Sequence, residues 1–277
     1  MIDTHCHIQS VGLAEGKGEG ERSTRELWAK ATALTGAEVL QNAAAADVAT
    51  MICVGCNLDD SRLAIEFADG APDSCYASIG LHPHEAQHYV GDADKLQTFA
   101  GLAVEPKVVA VGECGLDYFY EHSPREAQLE ILRFQFRLAA EHDLPMIFHV
   151  REAFDDFWPI FDEFHAVTPV RGVLHSYTDN AANLQLAMDR GLYIGVNGIA
   201  TFAKNPAQLA VYRDIPLQKM LLETDAPFLT PTPYRGKVNE PKYLQQIANF
   251  LAELRADSLE TIASATTANA TALFGLK

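Results

Sequence analysis

The sequence predicts an α/β fold, an eight-stranded (β/α)8 TIM-type barrel, on three observations. Eight short β-type runs alternate with longer segments of helical spacing. The length, 277 residues, suits such a barrel as one domain spanning 1–277, although about 150 residues per domain would give about two. Histidines and acids stand where several of the runs end. An open doubly wound sheet is the alternative, but no GxGxxG follows the first run.

In chain order the runs fall at 1–5, 49–56, 75–81, 108–113, 145–150, 171–175, 192–197 and 219–225. Ile131, Phe134 and Leu138 between the fourth and fifth runs, and Leu244, Ile247, Ala248 and Leu251 after the last run, have the spacing of one buried helix face. Ser123-Pro124-Arg125-Glu126 predicts a helix start with Ser123 as the cap, and Ser23-x-x-Glu26 has capping-box spacing. Residues 8–22 form a Gly-rich connection, with Gly12–Gly20 as a surface loop or a loop over the barrel mouth. No repeat or linker divides the chain.

Composition narrows the function. Hydrophobic residues make up 48% and charged residues 21%, as in ordinary globular proteins. No uninterrupted apolar stretch approaches the roughly 18 residues of a membrane span, and the N-terminus lacks a basic, then apolar, signal. The sequence therefore reads as cytoplasmic, without a membrane partner, and as a monomer for want of an exposed apolar stripe. The net charge of −16 excludes a whole-surface basic footprint for nucleic acid, so a polyanion would need a local positive site, which metal ions could supply. Five cysteines, an odd number scattered along the chain, do not form a disulfide framework. Cys53-x-x-Cys56 has the spacing of a redox or zinc pair, but its apolar setting favours packed, reduced thiols.

The informative pattern is at the run ends. His5 and His7 close the first, and two-residue spacing in an extended chain points both side chains one way. Glu113 ends the fourth, His149 the fifth, His175 the sixth and Asp225 the eighth. In a barrel these ends converge on one face. Four imidazoles and two carboxylates suit zinc, manganese, magnesium or iron. Six ligands exceed the need of one zinc and suit two divalent ions about 3.5–4 Å apart, with Glu113 as the bridge.

The motifs Ile2-Asp-Thr-His-Cys-His7, Gly80-Leu-His-Pro-His84, Gly112-Glu-Cys-Gly-Leu-Asp-Tyr118, His149-Val-Arg-Glu152, Leu222-Glu-Thr-Asp-Ala-Pro227 and Asn239-Glu-Pro241 carry a resemblance over nearly the whole chain. The sequence resembles the TatD family of metal-dependent hydrolases, the TatD DNases. The resemblance implies a TIM-type barrel, a one- or two-metal site, and phosphodiester hydrolysis, often as a 3′→5′ exonuclease on DNA. Carried onto this chain, it implies that His5, His7, Glu113 and Asp225 hold one metal, and Glu113, His149 and His175 the other. The chain departs from the family in its long 8–22 connection. It departs again at Ser176-Tyr-Thr-Asp179, where the family often has Cys-Phe-Ser-Gly. The second departure is expected to bring Asp179 near the metals.

The chemistry that follows is metal-assisted hydrolysis, with Glu113, Asp225 and Glu223 as the catalytic carboxylates. Asp225 would accept the proton of the attacking water, and Glu223 would be a supporting or relay carboxylate or a structural one. His82, His84, Arg151 and Arg235 are the substrate-binding candidates, with Lys237 beside them and Lys204 weaker. Asp117 and Tyr118 are expected on a loop, as turn formers or as pocket lining. DNA ends or short single strands are the expected substrate. Ester or amide hydrolysis, such as D-aminoacyl-tRNA deacylation, is the alternative, and a non-catalytic scaffold the remaining one. The fourth run ends on Glu113 and not on a lysine that could be carbamylated, which favours the TatD-like branch over amidohydrolases generally.

Overall fold

A computed structural model describes residues 1–13, 22–31, 34–120 and 122–277, the side chains of Arg22 and Ser23 excepted. The strands are β1 Ile2–Cys6, β2 Thr50–Val54, β3 Cys75–Ile79, β4 Val108–Asp117, β5 Met146–Arg151, β6 Gly172–Leu174, β7 Tyr193–Val196 and β8 Met220–Leu222. They form one parallel sheet in the order β1 to β8. Beyond its last strand the sheet meets its first: Cys6 bridges Ala226, and Asp225 N–H donates to His5 O at 2.8 Å. His7 N–H donates to Ala226 O at 2.7 Å. The (β/α)8 barrel expected from the alternating runs is what the chain forms.

The helices are α1 Arg22–Trp28, α2 Gly36–Ala45, α3 Leu58–Gly70, α4 Ala93–Ala100, α5 Arg125–Glu141, α6 Phe154–His165, α7 Ala181–Asp189, α8 Pro206–Asp214, α9 Leu244–Arg255 and α10 Leu259–Phe274. Local chemistry sets their starts. Thr35 and Glu38 form a reciprocal capping box on α2, and Asn57 caps α3 through Asp60 N–H at 2.9 Å. The expected cap at Ser123 does not form. Helix α5 begins after Pro124, and Ser123 Oγ donates instead to His84 O (2.7 Å) while accepting from Gln87 N–H (3.1 Å). That hydroxyl therefore ties the segment after β3 to the start of α5. The capping box at Ser23 and most of the Gly12–Gly20 connection lie outside the described residues.

Apolar residues alternate along the strands. Met51 and Cys53 of β2 belong to a large cluster shared with the helices, including Ile131, Leu138, Ile247 and Leu251. Ile52 and Val54 belong to a second cluster with Ile2, Ala110, Ile147, Val173 and Leu221, joined by Leu273 and Phe274 of α10. This period-two division is what a strand covered on both faces requires. It also rigidifies the strand ends that carry the polar groups.

Candidate metal centre

Strand ends bring the six sequence-predicted ligands together. His5 Nε2 and His7 Nε2 lie 3.3 Å apart. Asp225 Oδ1 lies 3.4 Å from His7 Nε2 and 3.7 Å from His5 Nε2. Glu113 presents one oxygen to each side: Oε2 is 3.4 Å from His5 Nε2, whereas Oε1 is 2.7 Å from His149 Nδ1 and 3.6 Å from His175 Nε2. The His5 and His175 rings stack 3.5 Å apart. Asp225 adopts a left-handed backbone (φ 59°), as do Ser176 (φ 50°) and Leu229 (φ 55°), which line the same cavity. Such non-glycine conformations are strained and concentrate at functional sites.

Partners on the far side of three of the rings decide which nitrogen faces inward. A carbonyl only accepts, so the 2.9 Å contact of His7 Nδ1 with Val54 O places the proton on Nδ1 and leaves Nε2 as a lone-pair donor. His175 Nδ1 faces Glu223 Oε1 at 2.9 Å, and Ser176 N–H donates to the same oxygen at 2.6 Å. His149 Nε2 faces Asp117 Oδ2 at 3.0 Å. A carboxylate or carbonyl behind a ligating imidazole is the arrangement by which proteins orient metal ligands. Glu223 therefore stands behind His175, which fits its expected supporting place.

The charges are consistent with a cation site. Burial would raise the Glu113 carboxyl, but His175, His5 and His82 and the hydrogen bond from His149 outweigh it and hold Glu113 well below the usual carboxylate range. Burial likewise opposes ionisation of Asp225, and His7, His175 and His5 overcome it. His149 and His175, despite burial, are raised to about 9 by their carboxylate neighbours. His5 is lowered, first by burial and then by His175. Its buried Nδ1 has no hydrogen-bond partner among the described residues. Converging imidazole and carboxylate donors with ionised acids fit divalent metals. The groupings His5–His7–Glu113 and His5–His175–Asp225 each bring their ligand atoms within 4.8 Å of one another.

His82, Glu113 and His149 form a third such grouping. However, His84 N–H donates to His82 Nδ1 at 3.2 Å, and burial holds the His82 ring well below its ordinary pKa. The neutral ring thus carries its proton on Nε2, which faces Glu113 Oε1 at 3.7 Å. His82 is a hydrogen-bond donor at the cavity, in keeping with substrate contact. His84 Nε2 shares Asp117 Oδ2 with His149, at 3.0 Å.

Asp117 departs from the loop expectation. Strand β4 runs on to Asp117, which is fully buried and holds His84, His149 and the N–H groups of Phe119 and Tyr120. The glycines at 112 and 115, poor strand formers, are what make a loop at Asp117 the expectation from sequence. Tyr118 is structural, its hydroxyl donating to Asp156 Oδ2 at 2.7 Å under the Arg125 guanidinium.

Above the ligands opens a cavity of about 1100 Å³ lined by His7, Glu113, His175, Arg151, Tyr120 and Phe228, among others. Arg151 is the one arginine or lysine among its described lining residues. Arg235 is held elsewhere, over the Phe202 ring (3.9 Å) and donating to Thr230 O, while Lys237 lies over Tyr234 and Lys204 is exposed. Asp179 accepts from Asn183 Nδ2 (2.7 Å) and lines a side pocket of about 280 Å³ with Arg151 and His175. Cys56 reaches the main cavity, 3.8 Å from Glu113 Oε2, while Cys53 is buried in the barrel wall. All five cysteines are thiols, none of them in a disulfide.

Known proteins resemble this chain along most of its length. A family model described as TatD related DNase matches residues 2–275. The metal-dependent hydrolase YabD of Bacillus subtilis is 39% identical over 276 residues, 99% of this chain and 98% of its own. The 3′-5′ ssDNA/RNA exonuclease TatD of Citrobacter rodentium is 36% identical over 244 residues, 86% of this chain and 91% of its own. The crystal structure of YjjV, a TatD homologue from Escherichia coli K12, superposes with a TM-score of 0.82 at 28% identity. It covers 100% of this chain and 98% of that one.

Proposed function

From the premise that the chain belongs to the TatD family of metal-dependent hydrolases, we propose that it is a 3′→5′ exonuclease on single-stranded DNA ends, working with two divalent ions. Magnesium, manganese and zinc all suit the donors. One observation carries the reading: the two oxygens of Glu113 face two different imidazole groups at the floor of one open cavity. A single carboxylate placed this way suits a shared ligand. The exonuclease name of the relatives supports the choice of substrate.

His5, His7, Glu113 and Asp225 would hold one ion, and Glu113, His149 and His175 the other. When bound, such ions lower the pKa of water towards about 7 and neutralise charge on a phosphodiester. The chain's own groups do the rest. Asp225, kept ionised by its imidazole neighbours, accepts the proton of the attacking water on a carboxylate oxygen. His82 donates from Nε2 to a phosphate oxygen. Glu223 and Asp117 keep His175 and His149 in orientation. Arg151 guards the rim as the cationic group that meets the strand. Of these groups Glu113, His175, Glu223 and Asp117 are buried at the cavity floor.

The test is a hydrolysis panel on the purified protein and Glu113→Gln, with magnesium, manganese or zinc. The substrates are 5′- and 3′-labelled single-stranded DNA, RNA and a D-aminoacyl-tRNA. Metal-dependent shortening from the 3′ end, lost in the variant, is the expected result. Inert DNA beside a hydrolysed aminoacyl ester would move the activity to deacylation.

A further inference from the structure

The metal floor does not by itself distinguish a nucleic acid from another phosphodiester; the rim above it does. Among the described residues few large apolar side chains are exposed, and two of these are adjacent here: Phe119 and Tyr120, 50% and 51% exposed. Burial alone does not explain aromatic rings left in water at a cavity mouth.

The rings are ordered against one another. Tyr120 and His122 stack nearly parallel, 9° apart in plane with centroids 5.8 Å apart. Phe119 meets Tyr120 edge-on at 4.7 Å. His84 meets Tyr120 and His122 edge-on at 5.7 and 4.6 Å. The Arg151 guanidinium lies 4.1 Å from the Phe119 ring centre and 4.8 Å from that of Tyr120. Tyr120, His122 and Arg151 line the same cavity as Glu113 and His149.

One carboxylate locks this group to the floor. Asp117 Oδ1 accepts from the backbone N–H groups of Phe119 and Tyr120, both at 3.0 Å. Its Oδ2 faces His149 and His84, each also at 3.0 Å. The height and tilt of the aromatic shelf above the reacting centre are therefore fixed by the residue that orients a metal-ligating imidazole.

We propose that Phe119, Tyr120 and His122, with Arg151, form a nucleobase-stacking shelf that receives one unpaired base of the strand being cut. The proposal rests on the nuclease reading and names what that site recognises: the flat face of a base in a single strand, with little regard to which base. Aromatic faces bind bases by stacking, and every base has such a face. Paired bases are already stacked and cannot lie on it.

The test uses the manganese-loaded protein and 5′-labelled oligothymidylate strands carrying one abasic residue at the first, second or third position from the 3′ end. Stacking of one base is worth about 1–3 kcal/mol, so an abasic residue at the position served by the shelf is expected to raise KM about tenfold with little change in kcat. Tyr120→Ala should raise KM for the intact strand by a similar factor and erase the difference between intact and abasic strands, while Tyr120→Phe should preserve it. Fluorescence anisotropy on strands with 3′-terminal phosphorothioate linkages reads the same difference without turnover. Cleavage that is indifferent to the abasic residue at all three positions, or unchanged discrimination in Tyr120→Ala, would overturn the shelf and leave the nuclease reading standing. Tighter binding of intact than of abasic strands through Tyr120, with no cleavage of any strand, would overturn the nuclease reading and keep the shelf. A protein that neither binds nor cuts the strands contradicts both.

Discussion

At the residue scale, the site is defined as much by the groups behind the ligands as by the ligands. Glu223 illustrates this: it is buried and holds one oxygen against both His175 Nδ1 and Ser176 N–H. Glu223→Ala should weaken metal binding about 10–100-fold while leaving all six ligands in place, read by isothermal titration. Unchanged affinity would reduce Glu223 to a packing residue. Asp3, two positions before His5, behaves differently. It accepts from Thr224 N–H, Thr224 Oγ1 and His5 N–H, yet burial outweighs these bonds and raises its carboxyl to about 7. A carboxyl raised on folding binds its proton more tightly in the native state. Its stabilising contribution is complete below the unfolded pKa near 3.8 and is lost as pH rises through about 7. Thermal melts of the metal-free protein should show the stability of wild type relative to Asp3→Asn falling between about pH 4 and pH 7; a flat difference would contradict this assignment. The six candidate ligands could be singled out from the sequence because each stands at or beside the end of a run. The supporting place of Asp117 could not, because a turn former and a buried strand carboxylate look alike in one dimension.

At the element scale, the strands were readable from alternating hydrophobicity, and their ends set the site. Gly112 and Gly115 are poor strand formers, so the sequence ends the fourth run at Glu113, whereas β4 continues to Asp117. The sequence also could not show that Ser123 would bind the segment after β3 in preference to capping α5. Strand β7 offers a test of the packing behind His175. A Cβ on Gly195 would run into the Glu223 carboxylate, which is buried and pinned by Ser176. Gly195→Ala should therefore leave the barrel folded by circular dichroism but displace Glu223, with a loss of metal affinity approaching that of Glu223→Ala. Full affinity in this variant would mean that Glu223 has room to move.

At the scale of the whole molecule, the acidic chain and the sparse cations of the cavity make one prediction about binding. Each phosphate neutralised by lysine or arginine contributes about −0.7 to the slope of log K against log salt for single strands. With Arg151 the one such residue among the described lining groups, the slope should be shallow, near −1. A slope as steep as about −4 would mean that a basic surface elsewhere holds the strand. Among the described residues no helix is long and apolar enough to cross a membrane. The acidic balance was plain in the composition, but the confinement of recognition to one rim emerged only once Arg235 and Lys237 were found engaged with Phe202 and Tyr234.

The proposed centre requires Glu113 to serve two cation positions at once. Metal content by mass spectrometry after manganese or zinc loading, on wild type, His149→Ala and Glu113→Gln, tests this most directly. Two equivalents in wild type, close to one in His149→Ala and a loss from both positions in Glu113→Gln are expected. Wild-type stoichiometry retained in Glu113→Gln would contradict the shared carboxylate and the centre built on it.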